Sequence, residues 1–113
     1  MTLTFDALSQ MALELPGVEV GTAFGAPTYK VGRKSLFYWN GDHGCPVFKV
    51  DFDERDFLIE ADPETFFTTD HHRNWPCVLA RPDRLDIGWV RENLRRVWRV
   101  QAPKKLLKAQ DPG

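Results

Sequence analysis

The chain has no apolar run near the roughly 18 residues needed to cross a bilayer. Its first residues, MTLTFDALSQ, lack the basic start and continuous apolar stretch of a secretory signal. Together these absences lead us to expect a soluble cytoplasmic protein with no membrane partner. Cysteine is scarce: Cys45 and Cys77 are the two in 113 residues, too few for a disulfide framework and expected to stay as thiols in a reducing compartment. Low-complexity tracts, internal repeats and linkers are missing too, so residues 1–113 are expected to form one domain. Of the short catalytic motifs, the nucleophile elbow, the phosphate-cradling glycine loop and the helix-borne His-Glu pair are all absent. No catalytic residue and no cofactor is therefore assigned.

What is present is ordinary for a globular domain, 42% hydrophobic and 27% charged. The net charge is only −1, but it is unevenly spread. Residues 1–80 carry 6 Lys/Arg against 12 Asp/Glu, and residues 81–113 carry 9 against 4. Such asymmetry points to a basic surface near the C-terminus.

Thr4 is placed to cap a first helix with Phe5, Leu8, Ala12 and Leu15 on one face, stopped by Pro16-Gly17. Val18 and Val20, then Tyr29 and Val31, alternate with polar neighbours as strands do. Gly32-Arg33 reads as a two-residue turn of type II′, glycine first, leading into a strand over 34–39. After a loop from Asn40 to Pro46, Phe48, Val50 and Phe52 alternate with Lys49 and Asp51. This predicts an antiparallel sheet with one covered face and one wetter face. Asp53 is expected to cap a short helix carrying Phe57, Leu58 and Ala61, and Asp62-Pro63-Glu64 to start another. A loop over 68–76, a strand over 77–80 and a turn at Pro82-Asp83 follow.

The last helix is the clearest element. From a cap at Asp86, Ile87, Val90, Leu94, Val97 and Trp98 form one apolar stripe. Arg91, Arg95 and Arg99, spaced by four, form a ridge beside it, and Arg96 lies four residues after Glu92, a spacing that favours a surface pair. Trp89 is expected on the side opposite the core, and Lys104-Lys105 follow in the tail.

Several stretches in this order resemble the MmcQ/YjbR family: LPGVEV, AFGAPTYKVGRKSLFYW, VFKVDFDERDFLI, PETFFTTDHHRNWPCVLAR and WVRENLRRVWRVQAPKKL. The shared features are structural punctuation: Leu15-Pro16-Gly17, Phe24-Gly25-Ala26-Pro27, Gly32-Arg33-Lys34 and Ala102-Pro103-Lys104-Lys105. The resemblance runs from Phe5 to Leu107. It implies an α+β fold, an antiparallel β-sheet flanked by helices, related to the CyaY-like and secretion-chaperone-like architectures. Members are mostly of unknown function, and a DNA-binding role has been proposed for the family from a double-wing shape. Trp98 stands here where the family often has tyrosine, beside an unusually arginine-rich ridge.

Candidate sites divide by chemistry. His43, Cys45, His71, His72 and Cys77 are zinc-type ligands without the paired spacing of zinc sites, so no metal is assigned. Asp51, Asp53, Glu54 and Asp56 lack the glycine and terminal glutamate of a calcium loop and read as a solvated helix start. Arg91, Arg95, Arg99, Lys104 and Lys105, with Trp89 for stacking, have the composition of a nucleic-acid phosphate site. Two functions fit this pattern: a non-catalytic DNA-binding protein that uses the basic C-terminal helix, or a protein-interaction module with an aromatic or sheet-face surface.

Overall fold

The computed structural model describes residues 2–23 and 25–110. Phe24 of the Phe-Gly-x-Pro motif and the last three residues of the tail lie outside the described residues. The elements run α1 (Phe5–Leu13), β1 (Glu19–Ala23), β2 (Ala26–Val31), β3 (Lys34–Ser35), β4 (Phe37–Asn40) and β5 (Cys45–Lys49). Then come α2 (Phe52–Ala61), β6 (Phe66–Phe67), β7 (Cys77–Ala80), α3 (Ile87–Gln101) and α4 (Lys104–Gln110). The fold is α+β: an antiparallel sheet ordered β1-β2-β3, a second ordered β4-β5-β7-β6, and the helices.

α1 begins where expected, with Thr4 Oγ1 accepting from the Ala7 amide at 3.1 Å. Leu8 and Ala12 are fully buried, and Phe5 and Leu15 pack against the same core. Past the helix, Gly17 has φ +73°, and a Cβ there would lie 2.4 Å from Leu106 Cδ1. Glycine thus lets the chain turn and lets α4 pack close.

The β2–β3 hairpin has Gly32 at φ +59° and Arg33 at φ +70°. Two central residues with positive φ make a type I′ turn, not the expected II′. The strand expected over 34–39 is broken at Leu36, where the chain passes from one sheet to the other. The Leu36 amide donates to Tyr29 O at 2.9 Å, and the buried Thr28 hydroxyl donates to Ser35 Oγ at 2.9 Å within the first sheet and lies 3.5 Å from Phe37 O of the second.

In the four-stranded sheet, register and alternation sort the side chains cleanly. Phe37 pairs with Phe48 and Phe48 with Val78, while Phe66 pairs with Ala80, and these face the main core beneath the helices. The opposite face carries Tyr38, Val47, Leu79 and Phe67 in one row, with Cys45 and Cys77 beside them. That face, expected to be wetter, holds a second small apolar cluster. Cations lie over its aromatic rim: Arg81 is 4.7 Å from the Phe67 ring and Lys49 is 5.8 Å from the Tyr38 ring.

α2 is capped by Asp51, whose Oδ1 accepts from the Glu54 amide at 2.7 Å, rather than by Asp53. Leu58 is buried, whereas Phe57 is exposed. Asp62-Pro63-Glu64 forms a turn instead of a helix start. The Asp62 carbonyl accepts from the Thr65 and Phe66 amides, which delivers Phe66-Phe67 to the sheet edge as β6.

α3 lies across the main core. Asp86 Oδ2 accepts from the Trp89 amide at 3.1 Å, and Val90, Leu94, Val97 and Trp98 are buried. Burial of each of these side chains contributes roughly 1.5–3 kcal/mol to the helix's attachment. Trp98 Nε1 donates to Pro16 O at 2.8 Å, tying α3 to the turn after α1. Among the described residues, no helix is long and apolar enough to cross a membrane.

Candidate nucleic-acid interface

Successive residues of a helix are rotated by about 100°, so a spacing of four advances a side chain by only about 40°. Arg91, Arg95 and Arg99 therefore drift from the flank of the buried stripe toward the outer face of α3. All three are exposed. Their surroundings differ.

Arg91 is nearest α1, and its Nη1 lies 2.6 Å from Glu14 Oε2. The pair roofs a cleft of about 160 Å³ between α1 and α3, lined by Met11, Leu15, Leu94 and Arg95. Arg95 and Arg99 have no ion pair among the described residues, and neither do Lys104 and Lys105 on α4. Four of the five predicted cations thus have no carboxylate at ion-pair distance among the described residues. One is spent within the protein. Sequence reasoning missed Glu14 because it is 77 residues from Arg91, although its place at the C-terminal end of α1 puts it on the side where α3 packs.

Trp89 is not where the sequence pattern put it. The ring is half-buried, packed edge-on against Phe48 with centroids 5.1 Å apart and tilted against Phe66 at 5.0 Å. Two helical steps place it about 200° around α3 from Arg91, on the opposite flank of the stripe. The buried face is wider than the apolar residues alone indicate, because Asn93 is buried beside Trp89. Trp89 is a packing residue and offers no stacking surface next to the arginines. Arg96 also differs from expectation. It donates to Asn93 Oδ1, one turn back, rather than pairing with Glu92.

A second cleft, about 270 Å³, is lined by Glu54, Trp89, Glu92, Asn93 and Arg96. Both clefts fall below the roughly 300–1,000 Å³ of typical small-molecule sites.

The histidine and cysteine residues do not converge. Among the described residues, no group of three or more His, Cys, Asp or Glu is placed to hold a metal ion. His43 packs edge-on against Phe67, and His72 Nδ1 lies 2.6 Å from Thr69 Oγ1. Cys45 and Cys77 are free and buried. Cys77 pairs with Lys49, four residues along β5 from Cys45. That puts their backbone positions about 13 Å apart along the sheet at roughly 3.3 Å per residue, too far for a disulfide. Burial pushes both thiols above the usual cysteine range, more than nearby hydrogen bonds and cations pull them down. They are held as thiols, not as nucleophilic thiolates. Asp51, the first of the acidic run, is used as a helix cap, and Asp56 pairs with Arg55 at 3.0 Å.

Uncharacterised proteins of Mycobacterium bovis and Mycobacterium tuberculosis are 36% identical to this chain over 52 residues, which is 46% of this chain. The similar stretch spans 40% of the length of these relatives. No solved structure matches. The YjbR family model matches residues 13–100, from the end of α1 to the penultimate residue of α3, and the chain belongs to the YjbR family.

Proposed function

We propose that this protein is a non-catalytic DNA-binding protein that holds the phosphate backbone with Arg95, Arg99, Lys104 and Lys105. The observation that carries this reading is that all four are exposed and have no carboxylate partner among the described residues, whereas Arg91 does. Arg95 and Arg99 are about 6 Å apart along the axis of a rigid helix. That is close to two nucleotide steps of roughly 3.4 Å. With Trp89 turned into the core, the site has charge but no stacking platform. The reading therefore favours duplex contacts made through phosphates, with little sequence preference.

Four phosphate contacts give a slope near −3.6 for log affinity against log salt, at about −0.9 per contact. Fluorescence-anisotropy titration of a labelled duplex at 50 and 200 mM salt tests this. Wild-type binding that weakens steeply with salt, and is lost when the four residues are changed to alanine, supports the reading. Absence of wild-type binding at 50 mM salt refutes it.

A second reading, a protein-interaction surface, rests on Phe57 and Trp75, which are 64% and 54% exposed, and on Phe52 at 43%. It predicts partner capture that is insensitive to salt and is lost in Phe57→Ser.

A further inference from the structure

The tip of the β2–β3 hairpin meets the end of α3 at very short range. A Cβ on Gly32 would lie 2.3 Å from the Gln101 carbonyl oxygen and 3.6 Å from Pro103 Cδ. Arg33 adjoins one side of this contact in sequence and Lys104 the other. Gln101 fastens the corner from within. Its Nε2 donates to Lys34 O and Ser35 O, each at 3.2 Å, and its Oε1 accepts from Lys49 Nζ at 2.8 Å. Contacts between distant segments thus bring Lys34 and Lys49 to Gln101, and Arg33 and Lys104-Lys105 adjoin the same contact in sequence. None of the five has an ion pair among the described residues.

We infer that this corner is a second phosphate-contact site, at which Arg33 and Lys34 of the hairpin tip join Lys104 and Lys105 in gripping the backbone of the duplex bound at Arg95 and Arg99. This rests on the DNA-binding reading above and extends it to an element that the C-terminal helix alone would not include.

Three observations support it. First, Lys49 is pulled below the usual lysine range by burial and then by the charge of Lys34, so positive charge at the corner is felt rather than cancelled. Second, the hairpin tip is held in place by the Gln101 bonds and the tight Gly32 contact, so its cations are presented by a fixed backbone. Third, Gln101 lies about 160° around α3 from Arg99, two residues on. The hairpin cations therefore sit on a different side of the helix end from the ridge. A polyanion that reaches both must lie across the end of α3, which fits an extended duplex better than a single small anion.

The test is the salt dependence of duplex affinity for the full chain and two variants. Arg33 has a left-handed backbone, so asparagine, which tolerates that region, is the suitable replacement. With the two hairpin contacts added to the four, the wild-type slope becomes about −5.4, and in Arg33→Asn/Lys34→Gln it is expected to fall in magnitude by about 1.8, to the four-contact value, with the thermal midpoint preserved. Arg95→Ala/Arg99→Ala is expected to lose a similar amount. Lys34→Gln alone, which leaves the turn untouched, should lose about 0.9. A wild-type slope in both hairpin variants beside a reduced slope in the ridge variant overturns the corner site and leaves the DNA-binding reading standing. Wild-type protein that binds no duplex at 50 mM salt overturns both.

Discussion

Arg91 Nη1 sits 2.6 Å from Glu14 Oε2, and this one pair removes the first arginine of the ridge from the charge available to a ligand. Both side chains are about half exposed, so the pair contributes roughly 0–1 kcal/mol to stability. Its effect on the surface field is larger than its effect on the fold. Glu14→Gln should leave the unfolding midpoint nearly unchanged, free Arg91 and steepen the salt slope of duplex binding by about 0.9. Arg91→Ala should change the slope little. Anisotropy titrations over a salt series read both, and a large loss on Arg91→Ala would show that the pair opens on binding.

Trp89 provides the complementary prediction. With its ring packed on Phe48 and Phe66, Trp89→Ala should destabilise the fold by about 3 kcal/mol, the low end for large-to-small core changes because the residue is half-buried. Duplex affinity measured well below the melting temperature should be unaffected. Urea denaturation and anisotropy separate the two effects, and loss of binding with intact stability would return Trp89 to the surface site.

The hairpin tip makes opposite predictions for neighbouring residues. Gly32→Ala adds a methyl group against the Gln101 carbonyl at positive φ and should cost at least 1–3 kcal/mol. Arg33→Gly relieves a left-handed non-glycine residue and should stabilise by up to about 1 kcal/mol. Chemical denaturation of the two variants gives both signs directly.

The pH response follows from His72. Burial, then the charges of His71 and His43, hold it below the usual histidine range. As pH falls through about 6.5, the unfolded chain takes up a proton before the folded one does. The contribution of His72 is therefore present above pH 6.5 and is lost as pH falls through the folded value. Urea midpoints at pH 7.5 and 5.5 should differ more for the wild type than for His72→Gln. Equal differences would remove His72 from the account.

The fold was legible in the sequence wherever one element carries its own pattern. α3 shows this best: the Asp86 cap and the stripe from Val90 to Trp98 are local features, and the structure has both. β5 likewise shows Phe48 alternating with Lys49. What could not be read depends on partners distant in sequence. The side on which Trp89 is buried is set by Phe48 and Phe66, which strand pairing brings beneath it. The break at Leu36 is set by the separation of two sheets, and no residue there marks it. Asp62-Pro63-Glu64 has the chemistry of a helix start, but pairing of Phe66-Phe67 with β7 overrides it. At the candidate site the cations were visible in the sequence. Which of them is paired was not, because Glu14 reaches Arg91 across the fold.

The most direct measurement is the change in backbone amide NMR shifts of isotopically labelled protein on titration with a short duplex at 50 mM salt. The account predicts a contiguous set of changes at Arg95, Arg99, Lys104 and Lys105, extending to Arg33 and Lys34, with α2 and Trp75 unmoved. Changes centred instead on Phe52, Phe57 and Trp75, or none at saturating duplex, would contradict it.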